Sequence, residues 1–250
     1  MMNKVTRRSA IASYLKLLHR HRGEPQGAYD EVAAIYDDFA KVWDHQVAAP
    51  ALAEVNHLIE ERVKPGSVVL DAGAGTGERT LAILEHSQPG KVIALDASEA
   101  MLDVARSKIQ DPRVSFVQGD VRHLPFADDT FDVVVSTWVI EIMDDPRAVV
   151  QEFIRVVKLG GLVIYAFCSL PEGTLGNTLK YVMTKVSSKE GPLTHLLSKE
   201  ERPFHRCEYS SLKRFAGGLT TVATVGKCCT VTDEFVSCRL HELEAVLAEG

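Results

Sequence analysis

No apolar run in the 250 residues approaches the roughly 20 that a membrane span requires. No C-x-x-C pair occurs among the five cysteines, at 168, 207, 228, 229 and 238. The odd count goes with free thiols in a reducing cytoplasm rather than with a disulfide framework. No metal site is expected from them either, because adjacent Cys228 and Cys229 on a strand point to opposite faces. Acid is missing from residues 1–22, which hold Lys4, Arg7, Arg8, Lys16, Arg20 and Arg22. With a net charge of −6 overall, the remainder sets 22 basic against 34 acidic side chains. Such a body repels phosphate, and nucleic acid is excluded as a general partner. The length allows one large α/β domain or two small ones.

What is present centres on Val68-Val-Leu-Asp-Ala-Gly-Ala-Gly-Thr-Gly77. Val68, Val69 and Leu70 read as the end of a buried strand, closed by Asp71. Gly73, Ala74, Gly75 and Gly77 then make a turn with almost no side chain, and Glu78–Leu84 begins a helix. Glycine is needed where φ is positive or where a ligand lies against the backbone. A turn feeding a helix N-terminus also aims N–H groups at its ligand. A dinucleotide site wants G-x-G-x-x-G. Here the spacing is G-x-G-x-G, with a carboxylate two residues before the first glycine. That carboxylate opposes a pyrophosphate and suits a ligand bearing an ammonium group.

Further strand ends repeat the theme. Nineteen residues past Gly77, Lys91-Val-Ile-Ala-Leu-Asp96 ends in an acid able to accept both hydroxyls of a ribose. Ala97 follows it, and Ser98 is placed to cap a helix through Met101, Leu102 and Ala105. Val114-Ser-Phe-Val-Gln-Gly119-Asp120-Val121 supplies a third strand and a third acid.

The segment Asp71–Gly77 resembles the first motif of the class I S-adenosylmethionine-dependent methyltransferases at every position, and the later acids stand at the family's distances. Arg155-Val-Val-Lys-Leu-Gly-Gly161 resembles the family's Arg-Val-Leu-Lys-Pro-Gly-Gly turn, with Leu159 in place of proline. Tyr29-Asp30 and Tyr36-Asp37, around an alanine-rich helix, resemble the entry segment of the ubiquinone/menaquinone-type small-molecule enzymes, where it covers the cofactor. The resemblance implies S-adenosyl-L-methionine as cofactor. It implies that Asp71, Gly73, Ala74, Gly75 and Gly77 hold the methionine end and that Asp96 and Ala97 take the ribose. Met101 packs beside the adenine, while Gly119, Asp120 and Val121 bind its edge. Tyr36 covers the site, and Ser136 lies close to the transferred methyl. Many relatives place a histidine where this chain has Ile142, which leaves His195, His205, Glu141 and Tyr36 as candidate bases and no assigned catalytic residue.

Along the chain, residues 1–27 read as a basic N-terminal helix and loop, and 28–250 as the methyltransferase domain. Ile11, Tyr14, Leu15 and Leu18 make an apolar stripe. It suits either packing on the domain, which is preferred, or an anionic membrane surface. Lys16 interrupts the apolar stretch too early for the export signal that Arg7-Arg8 suggests. Helices are expected over Ala28–Phe39, Ala51–Val63 and Pro146–Val157, a fourth strand over Asp129–Val135 and a fifth over Leu162–Phe167. Residues 169–205, with a short helix over Thr178–Val186, read as a substrate cap. Ser210–Phe215 reads as a capped helix ended by Gly217-Gly218, and Leu219–Val225 with Cys229–Val236 as a closing antiparallel pair. The expected fold is a Rossmann-like, seven-stranded, mostly parallel sheet with helices on both faces and an antiparallel last strand.

Two groups of relatives are set aside. No Asn/Asp-Pro-Pro-Tyr/Phe follows the fourth strand, and Ser136-Thr137 offers no carboxylate for a catechol-type magnesium site. A small-molecule acceptor at O, N, C or S remains. The alternatives are a lipid or quinone acceptor at a membrane surface, or a cofactor-binding regulatory subunit without catalysis.

Overall fold

A computed structural model describes residues 25–169, 174 and 209–227. Helix α1 (Pro25–Trp43) passes through a π-helical turn, Asp44–Ala48, into α2 (Ala49–Arg62). Strands β1 (Val68–Ala72), β2 (Lys91–Asp96) and β3 (Val114–Gln118) alternate with α3 (Glu78–His86) and α4 (Glu99–Lys108). Strand β4 (Phe131–Thr137) leads through a 3₁₀ turn, Ile140–Ile142, to α5 (Pro146–Val156) and β5 (Val157–Cys168). The hairpin β6 (Tyr209–Phe215) and β7 (Thr220–Gly226) completes a seven-stranded sheet ordered β3-β2-β1-β4-β5-β7-β6. Pairs among β1 to β5 are parallel, and β7 runs antiparallel between β5 and β6.

The strands are apolar on both faces because helices cover both. Val69, Val133, Val135 and Ile164 pack towards Val55 and Ile59 of α2 and Ile83 of α3. Their alternate neighbours Leu70, Val134, Val163 and Tyr165 pack towards Val149, Val150 and Phe153 of α5. Asp145 fixes the start of α5 by accepting from the N–H groups of Arg147 and Ala148, at 3.0 and 3.1 Å. Each fully buried Val, Leu or Phe of these layers contributes about 1.5–3 kcal/mol. After β1 the connections lead towards β3, and after β4 they lead the other way, so a crevice opens between the tips of β1 and β4.

Ser210–Phe215, expected as a helix, is strand β6. Alternation explains the difference: Ser211 bonds Thr224 at 2.8 Å, Lys213 reaches Glu54 of α2 at 2.7 Å, and Phe215 packs on the α2 side of the core. Those three are two residues apart, and the Val- and Thr-rich β7 pairs beside them, so cross-strand packing overrides the cap signal of Ser210. Within the described residues the closing pair is therefore β6 with β7, and Cys229–Val236 lies outside them. The Lys158–Gly161 turn is a bulge inside β5, where Phe131–Val133 spans the same height as Val157–Leu162 and Gly160 takes φ 77°. Asp129 and Thr130 precede β4, which continues instead through Ser136 and Thr137. Helix α1 starts at Pro25, so Pro25–Gly27 belong to it and not to the loop before it. Residues 1–22, the cap apart from Ser169 and Thr174, His195, His205 and Cys207, Cys228, Cys229 and Cys238 lie outside the described residues.

Candidate functional site

The turn after β1 is held by β2. Gly73 and Ala74 both donate to the Leu95 carbonyl, at 2.8 and 2.9 Å, and Gly75 donates to Asp96 Oδ2 at 2.8 Å. Asp96 Oδ1 accepts from Ser98 N–H at 2.9 Å, and Ser98 in turn caps α4 by accepting from Met101 N–H at 3.1 Å. The N–H groups that a phosphate loop keeps for its ligand are thus occupied by protein. Gly73 has φ 80°, and a Cβ there lies 2.2 Å from Val139 Cγ2. Gly75 has φ 52°, and a Cβ there meets nothing within 4 Å. The first glycine makes room for the β4 wall, and the second leaves the space over the turn open.

A cavity of about 780 Å³ occupies this crevice. Of the residues singled out from sequence, Tyr36, Gly73, Gly75, Asp96, Ala97, Met101, Gly119, Asp120 and Val121 line it. Asp71, Ala74, Gly77 and Ser136 do not. Gly77 is packed against Ile109 and Ala105, and its φ of 89° makes it the left-handed residue that opens α3. Ser136 is buried and donates to the Ala72 carbonyl at 2.8 Å, so its hydroxyl braces the tips of β1 and β4 instead of facing the cavity. Asp71 lies beneath the turn, 1% exposed, accepting from Thr80 Oγ1 at 2.5 Å. Burial pushes its pKa up to about 6, against the pull of Thr80 and Arg79. Among the described residues its Oδ1 has no hydrogen-bond partner.

Sequence reasoning did not single out Asp30, Ser98, Gln118, Arg122, Val139 and Met143 as lining residues. Arg122 grips Asp120 through Nε and Nη2, the shorter contact 2.6 Å, and holds its carboxyl below the usual range. Among the described residues the lining therefore carries three carboxylates (Asp30, Asp96 and Asp120) against one guanidinium. The opposite wall is Thr137, Trp138, Val139, Ile142 and Met143. Trp138 stands edge-on to Trp43 of α1, ring centroids 6.3 Å apart.

Residues 70–165 match the family model described as a methyltransferase domain. Over these residues the chain carries a methyltransferase domain. A demethylmenaquinone methyltransferase of Bacillus cereus is 42% identical to it over 147 residues, 57% of this chain and 61% of that one. A 2-methyl-6-phytyl-1,4-hydroquinone methyltransferase of rice, chloroplastic by name, is 35% identical over 147 residues, 57% of this chain and 42% of that one. The match thus spans about half the length of these curated relatives. Among solved structures, a Methanococcus maripaludis protein described as an S-adenosyl-L-methionine-dependent methyltransferase shares the fold. Its TM-score is 0.56 at 20% identity, over 81% of this chain and 95% of that one.

The domain's cavity fits the cofactor of its class. Carboxylates outnumber cations along the lining, which suits a ligand carrying a sulfonium and an ammonium. The open space over Gly75 and the unpartnered Asp71 Oδ1 beneath the turn belong to the same end. At the other end of the methyltransferase domain's cavity, Glu141 is 6% exposed and faces away, its Oε1 accepting from Cys168 N–H at 3.2 Å. Burial raises its pKa to about 7. The same burial, with Glu141 beside it, lifts the Cys168 thiol well above its ordinary value. Among the described residues no histidine lines the cavity.

Proposed function

We propose that this protein transfers the methyl group of S-adenosyl-L-methionine to a small, largely apolar acceptor. When bound, the cofactor supplies a methyl already activated on a sulfonium, so the chain's part is alignment and exclusion of water. The carrying observation is the carboxylate-rich lining around a glycine turn whose own N–H groups are engaged by Leu95 and Asp96. In this reading Asp96 accepts from the ribose hydroxyls, and Met101 packs against the adenine. Asp120 and the Val121 N–H bind the adenine edge, with Arg122 fixing the carboxylate. Asp71 acts through its charge from beneath Gly73, while Ser136 acts only through the Ala72 carbonyl. Thr137, Trp138, Val139, Ile142 and Met143 form the acceptor wall. The apolar character of the last four, together with the names of the relatives, favours a quinol-like ring over a polar metabolite.

A cytoplasmic protein and an acceptor other than nucleic acid go with this reading. Among the described residues no helix is long and apolar enough to cross a membrane. Calorimetry with S-adenosyl-L-methionine, S-adenosylhomocysteine and NAD tests the cofactor. Both adenosyl compounds are expected to bind and NAD is not, and the reverse result overturns the proposal. Asp96→Ala should weaken binding by on the order of 1–3 kcal/mol, the scale of hydrogen bonds involving a charged group. For the acceptor, methyl transfer to a short-chain demethylated quinol is compared with transfer to a water-soluble catechol. Cofactor binding without transfer to either supports the regulatory-subunit alternative.

A further inference from the structure

Aspartates stand at 30, 37 and 44, seven residues apart and hence on one side of α1 and its π turn. Each meets the N-terminal end of a helix that follows β1 or β2. Asp30 Oδ1 accepts from Ser98 Oγ at 2.5 Å, at the cap of α4. Asp37 Oδ1 accepts from Thr76 Oγ1 at 2.5 Å, inside the glycine turn, and its other oxygen pairs with Lys108. Asp44 is half-buried, and Arg79 of α3 pulls down a carboxyl that burial pushes up. Carboxylates at helix N-termini are favoured by the helix dipole as well. Beside this row Tyr29, Val32, Ala33 and Tyr36 pack on Ala100, Met101 and Val104 of α4.

Thr76 is 2% exposed, so its hydroxyl must find an acceptor in the protein. The N–H groups of Gly73, Ala74 and Gly75 are all satisfied from β2. The Thr76 hydroxyl is satisfied from α1, a helix that also contributes Tyr29, Asp30 and Tyr36 to the cavity wall. The turn is thus pinned from both sides, and one of those sides is the roof of the site.

We propose that Asp37 is a positioning residue of the cofactor site, holding the glycine turn in its ligand-bearing form through Thr76. The inference rests on the cofactor reading above. Docking of α1 and occupation of the cavity then strengthen each other, because a coupling between two equilibria is reciprocal.

The test uses Asp37→Ala, Thr76→Val, their double variant, Thr76→Ser and, on the exposed side of the same helix, Asp38→Asn. By calorimetry Asp37→Ala and Thr76→Val should each raise the dissociation constant for S-adenosyl-L-methionine about tenfold, with the double variant no worse than either. Thr76→Ser keeps the hydroxyl and should bind like the parent, as should Asp38→Asn. A merely structural Asp37 would lower the melting temperature while leaving the dissociation constant in place. In the ligand-free protein, hydrogen exchange of amides 75–80 should quicken in Asp37→Ala and not in Asp38→Asn. An unchanged dissociation constant in folded Asp37→Ala, or additive effects in the double variant, overturns the proposal. If the parent binds no S-adenosyl-L-methionine, the methyltransferase reading falls and the cofactor coupling with it. Unchanged exchange in Asp37→Ala then removes the docking half too.

Discussion

At the tips of β1, β2 and β3 the groups around the cavity are backbone and carboxylate: Gly73 and Gly75, Asp96 beside Ala97, and Gly119 before Asp120. Each is fixed by a specific hydrogen bond, from the Leu95 carbonyl under the turn to the Arg122 grip on Asp120. The tip of β4 is built of side chains, Thr137, Trp138 and Val139, with Ile142 and Met143 beyond them. Packing shapes this half, and packed apolar surfaces accept volume-conserving exchange where main-chain hydrogen bonds do not. One half is therefore suited to a fixed ligand and the other to a variable one.

The sharpest way to break this comparison is at the two glycines. Gly73→Ala combines a left-handed backbone with a contact 2.2 Å from Val139, and should lower stability by on the order of 2–4 kcal/mol. Gly75→Ala carries only the backbone strain, about 1–2 kcal/mol, yet places a methyl in the open space over the turn. Denaturant unfolding of both, with calorimetry for the cofactor, checks the difference. Equal stability losses would erase the distinction between a glycine for packing and a glycine for the ligand.

A pH-dependent effect of comparable size belongs to Glu141 in the second half. Its folded pKa of about 7 stands above the ordinary value of 4.5, so the folded state binds the proton more tightly than the unfolded chain does. The stability this gives is complete below about pH 4.5 and is lost as pH rises through 7, a decline on the order of 3 kcal/mol. Glu141→Gln keeps an acceptor for the Cys168 N–H and removes the titration. Melting temperatures between pH 4.5 and 8 should therefore fall more steeply for the parent than for Glu141→Gln. Parallel curves would place the carboxyl in a wetter setting than its 6% exposure describes. The smallest effect lies at the far edge, where Lys213 pairs with Glu54 at 2.7 Å with its own side chain 59% exposed. Lys213→Ala should change stability by about 0.2–1 kcal/mol, screened further by salt.

The parallel core was legible in the sequence because β1 to β5 are apolar runs bounded by glycine, proline or acid. Ser210–Phe215 was not, since its strand character comes from Glu54, Thr224 and the α2 core, none of them local. In the site, the sequence displayed the residue types but not their directions. Asp71 and Asp96 both stand at strand ends, yet the first lies under the turn and the second lines the cavity. Ser136 likewise turns to a carbonyl of the neighbouring strand. The seven-residue spacing of Asp30 and Asp37 is visible in the sequence, but only Ser98 and Thr76 give it meaning.

Trp138 takes φ 61°, a left-handed conformation that is strained for so large a residue. Its N–H donates to the Ala166 carbonyl at 2.9 Å, and the chain then delivers a Val139 methyl to the place where Gly73 has no side chain. For anyone rebuilding this wall of the cavity, that makes residues 138–143 something other than a free cassette. A loop transplanted there must bring a side chain that reaches Gly73, or it leaves a methyl-sized hole beside the glycine turn. Position 73 in turn can be enlarged only if position 139 is trimmed. The two positions, 66 residues apart in sequence, have to be chosen as one.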